Sequence, residues 1–174
     1  FYASFMDEAT IEARGLKPLQ PTLDGIQAIS DRQSLSRFLG GTLRADVDVL
    51  NATSLTTRNL LGLWVAQDLN DPSRYVPFLL QGGLGLPDRD FYLSDAPRMQ
   101  AIRERYLAHI ATVLRLAKVS DPEAKAARIL QLERRMAESH ATRTETGDVK
   151  KGNNPWTRAE FDALFEAARP ALRL

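Results

Sequence analysis

Gly83-Leu84-Gly85-Leu86-Pro87-Asp88-Arg89-Asp90-Phe91-Tyr92 stands between a strand pattern and a helix pattern. Just before it, Val76, Phe78 and Leu80 alternate with Tyr75, Pro77 and Leu79, which is the two-residue period of a half-buried strand. Just after it, Met99, Ile102, Tyr106, Ile110, Val113 and Ala117 recur at steps of three and four, the apolar stripe of an amphipathic helix. With Gly82 in front, the run invites comparison with phosphate-binding loops. It lacks the closing Gly-Lys-Ser/Thr of one and the glycine spacing of the other. Glycine permits positive φ and close backbone approach, so the run reads as a structural turn that joins a hairpin to helices.

Upstream, Leu61–Asp68 and Arg74–Gln81 read as two strands around Asn70-Asp71-Pro72-Ser73, a dense turn signal. Pro77 confines its strand to an edge. Earlier still, Tyr2–Arg14 reads as one helix with Tyr2, Phe5, Met6, Ala9 and Ala13 on one side, stopped by Gly15. Pro18 and Pro21 then break the chain. Thr22 is the expected cap of a short helix carrying Leu23, Ile26 and Ile29, and Asp31 caps the next, with Leu35, Phe38 and Leu39 inward and Gly40-Gly41 at its end. Leu43–Leu55 is ambiguous, with helix favoured as far as Leu50.

Downstream, Asp95 is a plausible N-cap for the striped helix, with Pro97 in its first turn. Ser120 or Asp121 caps a second long helix, with Ala124, Ala127, Ile129 or Leu130, Leu132 and Met136 facing inward. The short Lys118–Asp121 connection makes the two helices antiparallel neighbours. His140–Asn154 has weak periodicity and reads as a loop. Thr157-Arg158-Ala159-Glu160 is a capping box that opens a last helix with Phe161, Leu164 and Phe165 inward. The fold class expected is mainly α, with one small β-hairpin at about Leu61–Gln81.

The chain has 174 residues, 44% of them hydrophobic, and a net charge of +1. That length suits one domain with a core of its own. The balanced charge gives no basic stripe for nucleic acid, and no apolar run reaches the ~20 residues of a membrane span. With no cysteine, disulfides and thiolate metal sites are excluded. Phe1 stands inside a helical pattern without an initiator methionine, so the chain reads as a segment of a longer protein.

The chain has two histidines, His109 and His140. A zinc-peptidase helix places two histidines four residues apart, with a glutamate beside the first as base. His109 is followed by Ile110 and His140 by Ala141, so neither opens that motif. His109 flanks the apolar stripe and reads as a packed or boundary residue. His140, near Glu138 and Glu145 in sequence, offers at most a stray cation site. Asp88 and Asp90 resemble a carboxylate pair for acid–base work, but local turn hydrogen bonds and an ion pair with Arg89 account for them more simply. Asn51-Ala52-Thr53 matches a glycosylation acceptor, a frequent chance match. Trp64 and Trp156 read as core anchors. The residues by themselves support a mostly α domain and no specific activity.

The run Gly83–Tyr92 resembles a signature of the neprilysin and endothelin-converting-enzyme family of zinc metallopeptidases. Phe5-Met6-Asp7 and Ile11-Glu12-Ala13-Arg14-Gly15-Leu16-Lys17-Pro18-Leu19 are similar to the family helix and its G-x-x-P-L turn. Leu63-Trp64-Val65 with Asp71-Pro72-Ser73 matches the preceding hairpin, and Ile129–Met136 with His140-Ala141-Thr142-Arg143 resembles the L-E-x-x-M/I-A helix that follows. Lys151-Gly152-Asn153-Asn154-Pro155-Trp156 fits the bacterial branch. The resemblance implies two largely helical lobes around a cavity, with zinc held by an H-E-x-x-H helix and a later glutamate in E-N-x-A-D. None of those residues has a counterpart here. Residues 1–174 are therefore expected to be part of the amino-terminal lobe, with no catalytic or metal residue, the substrate-binding residues unassigned, and zinc held by the parent but not by this chain. The implied partners are the catalytic lobe of the same polypeptide and peptide substrates, and the implied location is secreted or periplasmic. The alternative is a self-standing or decayed helical interaction module without activity.

Overall fold

Asp7 splits the first expected helix in two. Its carboxylate accepts a hydrogen bond from the Thr10 amide at 3.1 Å, and an aspartate that caps a new helix cannot also continue the old one. The results are α1 (Tyr2–Phe5) and α2 (Glu8–Arg14), with Gly15 at φ +48 closing α2. This is a computed structural model, and it describes residues 1–43, 57 and 59–168, with residues 164–168 as backbone only. The favoured helix up to Leu50 and the Asn51-Ala52-Thr53 acceptor fall on residues 44–53, outside those described.

Pro18 and Pro21 start helices rather than break them. Each occupies the first turn, of a 3-10 turn at Lys17–Leu19 and of α3 (Gln20–Gln27) respectively, where a missing N–H costs nothing. Thr22 thus lies inside α3, not at its cap, and Ile29 lies beyond it. Asp31 does cap α4 (Arg32–Gly41), in a reciprocal box with Ser34. Leu35 points outward at 42% exposure, leaving Phe38 and Leu39 half-buried.

Strands β1 (Leu61–Gln67) and β2 (Tyr75–Gln81) pair antiparallel, from Leu61 opposite Gln81 to Gln67 opposite Tyr75. The alternation expected along β2 holds: Val76, Phe78 and Leu80 are half-buried, while Tyr75, Pro77 and Leu79 are exposed. In the turn, Asp68 accepts from the Asn70 amide at 2.8 Å and from the Arg74 guanidinium at 2.7 Å.

The join leads into the short α5 (Asp90–Leu93), then α6 (Pro97–Leu116) and α7 (Pro122–Ser139). Ala96, not Asp95, is the N-cap of α6, because Pro97 itself takes the first helical position. Lys118 at φ 57 ends α6 in a Schellman turn, with its own amide donating to Arg115 and the Val119 amide to Leu114. The two long helices pack as antiparallel neighbours around Ile110, Ala111 and Ala126, with Tyr106, Leu107, Leu114 and Ile129 against them. Val113 is 48% and Leu132 54% exposed, and Ala124 and Ala127 face solvent too. The fully buried positions on α7 are Ala126 and Ala137. On α7, Ile129, Leu130 and Met136 lie on the inner side as expected, whereas Ala124, Ala127 and Leu132 do not, and the half-buried side also carries a glutamate, Glu133.

The chain divides into two compact units, Phe1–His140 and Ala141–Leu174. In the second, the stretch expected to be a loop contains α8 (Arg143–Thr146) and α9 (Val149–Gly152). Four-residue helices are too short to show an apolar period, and caps define them. Thr142 and Glu145 form a capping box, and Asp148 accepts from the Lys150 and Lys151 amides. Thr157 and Glu160 form the expected box before α10 (Arg158–Ala168).

Candidate functional site

Tyr92 is the largest fully buried side chain among the described residues. Its hydroxyl accepts from the Leu86 amide at 2.8 Å and donates to Glu133 Oε2 at 2.8 Å. The Tyr106 hydroxyl donates to the other carboxylate oxygen at 3.1 Å. Arg103 Nη1 donates to the carbonyls of Phe91 and Ser94 at 2.9 and 2.8 Å. Two residues of α6 and one of α7 thus clamp the join and α5 through charged or phenolic groups, the stronger class of hydrogen bond. Close approach explains two of the glycines. A Cβ at Gly85 would stand 1.8 Å from Tyr106 Oη, and one at Gly83, where φ is +82, would stand 2.5 Å from Met136 Cε.

Burial pushes the Tyr106 phenol up to about 12, with the Glu133 charge adding to it. Burial raises Tyr92 further, with Glu133 acting the same way against the Leu86 hydrogen bond. Both phenols hold their protons at neutral pH and act as donors.

The residues singled out from the sequence are not drawn into one constellation. His109 is exposed on α6, not packed. His140, the C-cap of α7, is half-buried, and burial lowers its pKa, offset by a hydrogen bond with the Gly82 backbone and assisted by the Arg89 charge. Glu138 lies 3.9 Å from Arg134. Glu145 holds the Thr142 amide and hydroxyl and the Lys151 ammonium. Asp88 accepts from the Asp90 amide at 2.9 Å, the expected turn bond. The expected ion pair with Arg89 is not formed, and Arg89 Nε is buried without a hydrogen-bond partner. Among the described residues no three His, Asp or Glu side chains stand close enough to hold a metal ion, and no helix is long and apolar enough to cross a membrane.

Trp64 is half-buried opposite Phe78. Trp156, expected in a core, is 54% exposed and lines an open depression of about 370 Å³ with Asn153, Asn154, Pro155 and Glu160. Nothing in the local sequence signals that exposure. Glu133, Tyr106 and Arg103 were also missed as a group. Their signal was a charged residue in phase with Ala126, Ile129, Met136 and Ala137.

The described fold is similar to that of Mycobacterium tuberculosis zinc metalloprotease Zmp1. The open-state structure matches with a TM-score of 0.75 at 29% identity, over 93% of this chain and 24% of that one. The inhibitor complex matches with a TM-score of 0.68 at 28% identity, over 86% and 21%. These matches are to a helical portion of that zinc metalloprotease. The model of Peptidase family M13 matches residues 1–171, and the chain belongs to that family. Among curated relatives, mouse endothelin-converting enzyme-like 1 is 32% identical over 143 residues, 79% of this chain and 18% of that protein. Human membrane metallo-endopeptidase-like 1 is 26% identical over 159 residues, 85% and 20%. The chain spans about a fifth of the length of these relatives.

Proposed function

We propose that this chain is part of the amino-terminal lobe of an M13 zinc metallopeptidase, where it helps enclose the substrate cavity and restricts substrate size. The carrying observation is the family match across residues 1–171 in a chain a fifth as long as its relatives. The parent hydrolyses peptide bonds, with zinc held by another part of the polypeptide. When bound there, zinc would supply a metal-activated water for attack on the peptide carbonyl. The residues of this chain contribute a wall rather than a reacting group. Its partners are the catalytic lobe and peptide substrates, and an exported location follows from the same reading.

The exposed apolar side chains on and beside α1–α4 support a segment over a self-standing module. Phe1, Tyr2, Phe5, Met6, Ile11, Leu19, Ile26 and Leu35 are each at least 42% exposed, and no residue of these four helices is buried. Exposed apolar surface on that scale marks a contact face. The test is a ladder of peptides of rising length, offered to the parent protein and to its Glu133→Ala variant. Zinc-dependent cleavage with a length limit is expected, and loosening the clamp moves that limit towards longer peptides. Cleavage of long and short peptides at equal rates by the unmutated parent would remove the size-restricting role.

A further inference from the structure

Glu160, in the first turn of α10, has one carboxylate oxygen engaged and the other open. The Thr157 amide and hydroxyl both donate to Oε2 at 2.7 Å, and among the described residues no hydrogen bond reaches Oε1. The Thr157 amide, and then its hydroxyl, hold the carboxyl below the usual glutamate range, so it is charged at neutral pH. Of the cations near it in sequence, Arg158 meets Asp162 at 3.1 Å and Lys151 meets Glu145 at 3.1 Å. Glu160 therefore lines the Trp156 depression as an anion with no cation of its own among the described residues. The same depression is lined by Asn154, whose amide nitrogen donates to the Lys151 carbonyl at 2.6 Å and whose Oδ1 is left open. Trp156, at 54% exposure, adds an indole. Two open acceptors beside an indole favour a planar cation, which donates to the oxygens and stacks on the ring. The depression, about 370 Å³ and open to solvent, is at the small end of ligand pockets and suits a side chain entering from outside.

We propose that this depression binds an arginine side chain presented by an extended peptide, with the guanidinium against the Trp156 indole and donating to Glu160 Oε1 and Asn154 Oδ1. Guanidinium N–H groups in one plane reach two separate acceptors while the face stays free to stack, which a lysine ammonium does not do. The Glu160 charge makes the site selective for the cation over a neutral group of the same shape. The proposal does not rest on the peptidase reading, and every residue it uses lies within the second compact unit.

The chain has two tryptophans, so proton NMR resolves both indole N–H groups, with Trp64 as the internal reference. Acetyl-Gly-Arg-Gly-amide is titrated into the 174-residue chain at constant ionic strength. The citrulline counterpart supplies a neutral urea of the same shape. A saturable shift at Trp156 alone is expected, with the citrulline peptide binding at least about tenfold more weakly. Glu160→Gln keeps the capping box, which accepts glutamine at that position, and should abolish the preference for arginine. No shift at Trp156, equal and unsaturable shifts at both indoles, or equal binding of the two peptides by the unmutated chain overturns the site. An undiminished preference for arginine in Glu160→Gln overturns it as well. Should that variant fail to fold, the comparison of the two peptides on the unmutated chain still decides.

Discussion

Gly85 and Glu133 carry most of the specific geometry at the residue scale. Gly85 leaves room for the Tyr106 hydroxyl where a Cβ would overlap it. Gly85→Ala is expected to destabilise the chain by about 1–3 kcal/mol, the usual cost of overpacking. Tyr106→Phe removes the overlapping oxygen, so the double variant recovers part of the loss. Urea midpoints of the two single variants and the double variant read this coupling directly, and strict additivity would show that the two positions do not meet. Glu133→Ala leaves the buried Tyr92 hydroxyl without its acceptor, for a loss of about 1–3 kcal/mol. The phenols add a pH dependence. A raised folded pKa means the stabilisation is complete below the ordinary value near 10 and is lost as pH rises through about 12, where Tyr106 titrates. Absorbance at the tyrosinate band should show Tyr106 ionising near 12 and Tyr92 above it, and ionisation of both near 10 would show the clamp to be open.

The elements divide into those written in local sequence and those written in contacts. The hairpin was legible because alternation and turn chemistry agree over Leu61–Gln81, and the caps at Asp31 and Thr157 because an acceptor side chain stands three residues before its partner. The phase of α7 was legible only in part, at Ile129, Leu130 and Met136, since Glu133 occupies its inner face beside the exposed Leu132. Substitutions separate the two phases. Ala126→Leu, at a position with no exposure, should cost about 1–3 kcal/mol, while Ala127→Leu on the outer side should leave the melting temperature nearly unchanged. The reverse ranking would restore the phase expected from the stripe. The helices α8 and α9 escaped notice because caps alone specify them. The Thr142 amide and hydroxyl, then Lys151, hold the Glu145 carboxyl at about 2. A depressed folded pKa stabilises above the ordinary value near 4.5, and the contribution fades as pH falls from there through about 2. Carbon NMR of the Glu145 carboxyl should follow that low midpoint, and Thr142→Ala should move it up towards 4.5.

At the scale of the whole molecule, what the chain lacks is as informative as what it packs. Buried apolar residues gather around α5, α6 and α7, whereas α1–α4 bury none fully and leave Tyr2, Phe5, Ile11, Ile26 and Leu35 exposed. The chain matches the M13 family model over residues 1–171 and spans about a fifth of the length of its curated relatives. The candidate site is a clamp: its glycine-rich join was legible as a structural turn, while its partners Tyr106 and Glu133 were not. The central claim, that this chain walls a peptidase without performing its chemistry, is tested most directly by measuring hydrolysis of one short peptide. The assay compares the 174-residue chain with its longer parent, each with zinc and with a chelator. Chelator-sensitive cleavage by the parent and none by the chain is the predicted result. Cleavage by the chain alone, or a folded parent that cleaves nothing with zinc present, would contradict it.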